Sequence, residues 1–336
     1  MTSREGKVKI RSFRLLIAAL VGILALHAGG LARAERLTVR LDFIPVGFHA
    51  AMHLAKEKGW FAREGLEVEI QDGTGSLNTI QLVGSGQIDV GQVQLGVMAI
   101  AREKGVPIKS FAGFVRKSDL GVIVPRDSGM KTVTDLKGKK LLCFTASPWA
   151  PFIDNFLAKG GLDRNSVEIS MVPPATMAAV YMSNGADGIM TVEPIGLPIV
   201  EKTRPSTSIR LADYGINFPS YGLIATEQTI ANRRDALAKL AKVQIATWEY
   251  IWGGHEDEAV DALISARSNI KLDRDVVKGQ LMINKPLFDT ENTKGKPIGW
   301  QSEKDWELAL RDIKASGAIS SFTKPQDYFT NDLLPK

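Results

Sequence analysis

The sequence predicts an α/β fold built as two lobes, and three observations carry that prediction. Short apolar runs alternate with amphipathic stretches from Glu35 onward, the pattern of strands separated by helices in largely parallel sheets. An apolar helix leading into a glycine-bearing turn, an aspartate and a strand occurs twice, at Gly86-Gln87-Ile88-Asp89-Val90-Gly91 and at Asn184-Gly185-Ala186-Asp187-Gly188-Ile189, with the aspartates 98 positions apart. Two short apolar segments, Gly121-Val122-Ile123-Val124 and Tyr221-Gly222-Leu223-Ile224, bracket the second unit and read as crossover strands. They divide the chain into one lobe of residues 35–121 plus 224–336 and another of 122–223. Lobes joined in this way form a hinge, and the cleft between them is the default ligand site.

The elements follow in order. Leu37 to Leu41 reads as the first strand, His49 to Gly59 as a helix closed by glycine, and Leu66 to Ile70 as the second strand. A helix over Asn78–Ser85, a short strand at Ile88–Val90, a helix over Gly96–Lys104 and a strand over Ile108–Phe114 complete the first unit. In the second unit, the strand Lys140–Phe144 is followed by a helix from Pro148 to Lys159, and a further helix spans Ala175–Met182. Beyond Thr229 the text turns helical and charged, with Asp235–Trp252 the clearest amphipathic helix; the last residues are expected to dock as an extended tail on the first lobe.

Charge is partitioned along the chain. The 336 residues carry 42 Lys+Arg against 37 Asp+Glu, but six of the basic residues and one acid lie in the first 34. The remainder is balanced at 36 of each sign, so the basic total is no argument for nucleic acid or an anionic membrane as partner. The segment itself has a basic start, an apolar run from Leu15 to Leu26 and Ala32-Arg33-Ala34 before Glu35, the layout of a secretory signal cleaved after Ala34. A run this short does not span the roughly 30 Å hydrocarbon core. A secreted product is expected; its lone Cys143 can form no internal disulfide.

Several blocks resemble one family. Leu41-Asp42-Phe43-Ile44-Pro45-Val46-Gly47-Phe48-His49, Ala55-Lys56-Glu57-Lys58-Gly59-Trp60-Phe61 and Glu64-Gly65-Leu66-Glu67-Val68 resemble the opening of periplasmic solute-binding proteins of ABC importers. The branch is the one that handles nitrate, sulfonates, taurine and thiamine-pyrimidine precursors. Gly84-Ser85-Gly86-Gln87-Ile88-Asp89, Thr134-Asp135-Leu136-Lys137-Gly138-Lys139 and Glu193-Pro194 follow in the family's order. The resemblance implies a periplasmic binding protein type II fold, closing on a small solute and delivering it to a membrane permease, with no cofactor.

The candidate site is argued from position. In an open α/β sheet the loops beyond the carboxyl ends of strands line the ligand crevice, which selects Asp42, Phe43, Phe48 and His49. Gly75 and Ser76 lie in a glycine-bearing entry to a helix, where unpaired N–H groups can hold a carbonyl or an anion. Gln92 and Gln94 end the third strand and can bond polar edges of a solute. From the second lobe come Ser147, as the cap of a helix beginning at Pro148, Trp149, as a stacking surface, and Glu193, as an acceptor for an amine or ring N–H. Tyr221 reaches in from the second crossover. These segments hold aromatic and acidic residues and no Lys or Arg, which favours a planar, hydrogen-bond-donating solute over a sulfonate or nitrate.

Two rivals remain open at this level. One is an enzyme like the thiamine-pyrimidine synthases that share the fold; those rely on a cysteine-rich motif, and this chain has a single Cys. No Gly-x-Ser-x-Gly elbow is present, and His49 and His53 at helical spacing enclose no glutamate, so neither a hydrolase nor a zinc helix is indicated. The other is a sensor or adaptor presenting bound solute to a membrane receptor.

Overall fold

The structure, a computed structural model, describes residues 34–336 apart from residue 146; the expected export signal lies, but for Ala34, outside the described residues. The strands are β1 (Glu35–Leu41), β2 (Leu66–Gln71), β3 (Val90–Gln94), β4 (Ile108–Gly113), β5 (Leu120–Pro125), β6 (Lys140–Cys143), β7 (Glu168–Met171), β8 (Gly188–Val192), β9 (Ser206–Arg210) and β10 (Tyr221–Thr226). The helices are α1 (Ala50–Glu57), α2 (Trp60–Arg63), α3 (Ser76–Gly84), α4 (Leu95–Glu103), α5 (Ile153–Ala158), α6 (Pro174–Met182), α7 (Glu193–Val200), α8 (Glu227–Asn232), α9 (Arg234–Trp252), α10 (Glu256–Ala266), α11 (Arg274–Met282) and α12 (Glu303–Ala315).

Two five-stranded sheets share one plan. Their orders are β2-β1-β3-β10-β4 and β7-β6-β8-β5-β9, and in each the strand contributed by the other half of the chain, β10 or β5, runs antiparallel among the rest. The repeat seen in the sequence has a structural cause. Asp89 Oδ2 accepts the Thr38 N–H at 2.8 Å and Asp187 Oδ2 accepts the Lys140 N–H at 2.8 Å, so each aspartate pins the parallel neighbour of the strand it precedes, β1 for β3 and β6 for β8. Asn184 has φ of 63° where Gly86 has 76°: both are left-handed turn residues, a conformation that asparagine tolerates better than most residues.

Central strands β5, β8 and β10 are buried along their whole length, as expected of strands covered on both faces. The two apolar segments read as crossovers are therefore ordinary sheet strands, and the chain changes sheet just upstream of each, over residues 114–119 and 211–220. These two passages pair with one another: Ser220 N–H donates to Val115 O at 2.8 Å, and Phe114 N–H donates to Tyr221 O at 2.8 Å.

A further seam joins the halves. Gln280 of α11 accepts the Gly47 N–H at 3.0 Å and donates to Ile195 O of α7 at 3.2 Å. Gly47 allows that approach, since a Cβ there would sit 2.3 Å from Val277 O. The carboxyl-terminal residues dock as expected, on the edge strand β4: Thr330 N–H donates to Ser110 O and Ser110 N–H to Tyr328 O.

One expected element is shorter. The helix read from Pro148 begins only at Ile153, because Pro151 has no N–H to give the Ser147 carbonyl and its ring would collide with that carbonyl in a continuous helix. Residues 148–152 are turns, and Ser147 caps a turn, its Oγ accepting the Trp149 N–H at 3.3 Å.

Candidate functional site

At the carboxyl ends of β1 and β3 the structure assembles a buried chain of polar groups. Asp42 follows the last residue of β1 and is 5% exposed. Its Oδ1 faces His49 Nε2 at 3.0 Å and its Oδ2 accepts from Ser76 Oγ at 3.1 Å. His49 Nδ1 accepts the Val46 N–H at 3.3 Å, which places the ring proton on Nε2 and makes His49 the donor to Asp42. Ser76 Oγ in turn accepts the Gln94 N–H at 3.1 Å. Gln94 Nε2 donates to both carboxyl oxygens of Asp119, at 3.1 and 3.2 Å, while its Oε1 accepts from Ser220 Oγ at 2.9 Å. Asp119 O accepts the Glu193 N–H at 2.8 Å, and the Glu193 carboxylate is held by Arg210 through Nε at 2.8 Å and Nη2 at 3.0 Å. The chain thus runs from the first sheet, through both passages, into the second.

Aromatic rings lie alongside. Phe48 stacks between Tyr221, centroids 4.6 Å apart, and Trp248 of α9, at 5.2 Å. Tyr221 faces Gln94 in the β3–β10 register, and Gln92 faces Leu223 one pleat further, so Gln92, Gln94 and Tyr221 share one sheet face. Both ends of the fully buried Gln92 amide lack a hydrogen-bond partner. Burial, together with the Asp42 and Asp119 carboxyls, raises the Tyr221 phenol well above its ordinary value. Burial likewise pushes Asp119 up to about 7, against the hydrogen bonds that favour its charged form, those from Gln94 Nε2 among them.

The sequence-derived candidates therefore divide. Asp42, His49, Ser76 and Gln94 form one hydrogen-bonded network, Phe48, Tyr221 and Gln92 line its flank, and Glu193 joins through its backbone. Phe43 is half-buried beside them. The Gly75 N–H, expected to be free for a ligand, instead donates to Asp42 O at 2.6 Å; Gly73, whose Cβ would meet Leu41 O at 2.1 Å, fits the same tight loop. Ser147 stands outside the network. Trp149 is buried completely, its Nε1 donating to Thr191 O at 2.9 Å and its ring edge-on to Phe156 at 5.1 Å, so in this conformation it fills the core of the second sheet and offers no face to a solute. Glu193 does not wait unpaired, because Arg210 holds it. Asp119, Ser220, Arg210 and Trp248 were not singled out in the sequence. Asp119 and Ser220 carried a readable signal, each being a polar residue set directly before a strand of apolar text.

The comparisons bear on this arrangement. A family model described as NMT1/THI5 like matches residues 47–258, well over half of the chain. The chain belongs to the NMT1/THI5-like family. Among relatives of this NMT1/THI5-like chain, a formylaminopyrimidine-binding protein of Halalkalibacterium halodurans is 26% identical over 330 residues, covering 96% of this chain and 98% of that one. A 4-amino-5-hydroxymethyl-2-methylpyrimidine phosphate synthase of Schizosaccharomyces pombe is 26% identical over 231 residues, 65% of this chain and 66% of its own. Among solved structures, the periplasmic aliphatic sulphonate-binding protein SsuA of Escherichia coli superposes with a TM-score of 0.66 at 14% identity, covering 87% and 91% of the two chains. The periplasmic nitrate-binding protein NrtA of Synechocystis PCC 6803 gives 0.65 at 16%, covering 89% and 87%. The fold is that of the periplasmic binding proteins, and the family is one of small-ligand binders that also holds proteins named as synthases.

Proposed function

We propose that this protein is the solute-binding component of an ABC importer, a periplasmic monomer that closes two lobes, 35–121 with 224–336 and 122–223, on an aminopyrimidine-like solute and passes it unchanged to a membrane permease. The observation that carries the reading is the Gln92 amide, buried in the middle of β3, two residues from its carboxyl end, with donor and acceptor both unpartnered. Each such group costs about 1–3 kcal/mol unless something supplies the missing bond. An aminopyrimidine edge, with an amine N–H beside a ring nitrogen, is the complement of a carboxamide. The Phe48–Tyr221–Trp248 stack forms a buried aromatic wall on the same side, and a planar solute would meet it only once the lobes open. The end-to-end similarity to a formylaminopyrimidine-binding protein supports the same solute class.

Binding is favoured over catalysis by the order of the polar chain. Ser76 Oγ donates to Asp42 and to no imidazole, so the serine–histidine pair of a hydrolase is not formed there, and Cys143 is buried with its thiol pKa raised by burial.

The test is calorimetry and thermal shift on the chain from Glu35, with a formylaminopyrimidine, 4-amino-5-hydroxymethyl-2-methylpyrimidine, taurine and nitrate, followed by mass analysis of the recovered solute. A pyrimidine at about a hundredfold over its Kd should stabilise the fold by about 2.7 kcal/mol and return unaltered. Saturation by taurine or nitrate alone, or conversion of the pyrimidine, would overturn the reading.

A further inference from the structure

We propose that helix α11 is a strap carried by the first lobe and that its seam with α7 is the latch of closure, with Gln280 the positioning residue that ties the Gly47–His49 segment to the second lobe. The inference rests on the two-lobe binding reading above and says where the lobes part.

The two sides of α11 are built differently. Towards the first lobe there is no slack: a Cβ on Gly47 would stand 2.3 Å from Val277 O and 2.4 Å from Leu281 N, so the loop after β1 lies flush on the α11 backbone. Arg274 and Lys278 tie the same helix to Asp257 and Asp261 of α10 at 2.8 Å. Towards α7 the contacts are looser. Lys202, exposed just beyond α7, reaches Asp275 at 3.0 Å and Asp273, the N-cap of α11, at 3.4 Å. Gly279 passes Pro198, where a Cβ on the glycine would stand 3.1 Å from Pro198 Cβ. A cavity of about 350 Å³ remains between the helices, with Leu197, Pro198, Val276, Gly279 and Ile283 in its lining. Exposed ion pairs hold weakly and unfilled space forfeits dispersion contacts, so the seam parts at α7 and α11 stays with the first lobe.

Gln280 connects this seam to the site. It is buried, its Oε1 accepting the Gly47 N–H at 3.0 Å and its Nε2 donating to Ile195 O of α7 at 3.2 Å. Gly47 directly precedes Phe48 and His49, and Ile195 follows Glu193 and Pro194, so one carboxamide spans from the loop that bears the aromatic stack to the start of α7. Opening the lobes breaks the Ile195 bond and both Lys202 pairs, while the Gly47 bond travels with the first lobe. A solute that fixes the loop after β1 therefore fixes Gln280 in the position from which it holds α7, and closure is coupled to occupancy through that loop.

The experiment locks the seam. In the chain from Glu35, Pro198→Cys combined with Gly279→Cys sets two thiols where a shift of a few tenths of an ångström reaches the Cβ separation of a disulfide, about 3.5–4.5 Å. The chain's own Cys143 is buried. X-ray scattering is measured without solute in the oxidised and reduced forms, and release of 4-amino-5-hydroxymethyl-2-methylpyrimidine is timed from both after loading in the reduced form. The oxidised form should have the smaller radius of gyration and release the probe at least about tenfold more slowly, and reductant should restore both to wild-type values. An unchanged radius overturns the proposal. If the probe binds neither form, the binding reading fails and the radius still decides the latch. If the probe binds and leaves both forms at one rate, the binding reading stands and the latch is refuted. Should the disulfide not form, Lys202→Glu decides: repulsion from Asp273 and Asp275 should enlarge the radius and weaken probe affinity by about twofold to tenfold at about 0.01 M salt, with both effects gone at about 1 M and absent in Lys202→Arg. Scattering of Lys202→Glu that matches wild type at every salt concentration overturns the latch.

Discussion

Replacing Trp149 separates two readings of the same residue. If the ring stacks on a solute, Trp149→Ala removes binding and leaves the fold; if the ring is core, the fold suffers first. The structure favours the second. With no surface exposed, truncation to alanine forfeits about 3–5 kcal/mol in transfer and cavity terms. The edge-on contact with Phe156 is part of that loss, and the Thr191 carbonyl, left without the indole N–H, adds about another 1 kcal/mol. In a protein of this size that amounts to a fall in Tm of roughly 10 °C. Trp149→Phe keeps most of the apolar volume and should recover most of the loss, short of the carbonyl's share. The assay is urea unfolding of both variants and the wild type, with m compared so that a shift in midpoint reads as stability. A Trp149→Ala protein that unfolds like wild type but binds no solute would refute the core assignment and restore the stacking role.

Two further predictions concern the frame of the site. Asp89→Ala should cost more than Asp187→Ala in urea midpoint, about 2–3 against about 1 kcal/mol, because Asp89 also accepts from Thr38 Oγ and pairs with Arg233 where Asp187 holds the Lys140 N–H; equal losses would show that the repeat does not share its mechanics. His53, pushed down to about 3 by burial and then by Arg267, His49 and Lys56, is uncharged when folded but titrates at its ordinary 6.5 when unfolded, so it removes stability as pH falls from about 6.5 towards 3. Its Nε2 has no partner, so His53→Leu should fold and flatten that acid limb of the melting profile; an unchanged limb would contradict the assignment.

The fold was legible where the chain repeats a physical solution. The turn and aspartate before β3 and β8 could be read because a left-handed residue and a strand-pinning carboxylate are chemically selective. The strand ends near Asp42 and Gln94 could be read because position relative to a parallel strand is itself the signal. What could not be read was the pairing of side chains distant in sequence. Asp119 meets Gln94 across 25 positions and Ser220 meets it across 126, and no local pattern encodes either contact. Trp149, read as a stacking surface, is buried in this conformation, and the sequence could not show that for a related reason. An aromatic residue after a strand has the same local text whether it faces a cleft or the core.

Arg210 bears on which solute the site suits. The sequence argument for an uncharged, donating solute assumed no cation near the candidate segments, and the structure supplies one. Its guanidinium is nonetheless spent: both bonding nitrogens go to Glu193, whose side chain is only 4% exposed while that of Arg210 is half exposed. A sulfonate or nitrate would recruit Arg210 only by displacing that carboxylate, giving up two charge-assisted bonds of about 1.5–3 kcal/mol each and leaving a buried anion unpaired. A ring N–H or amine asks for less, since a carboxylate oxygen already bonded to arginine keeps a lone pair for a further donor. The same asymmetry holds at the other end of the network, where Asp42, backed by His49 and Ser76, presents an acceptor and no cation. Recruiting Arg210 to an anion would therefore break its pair with Glu193, whereas a hydrogen-bond donor would leave that pair in place.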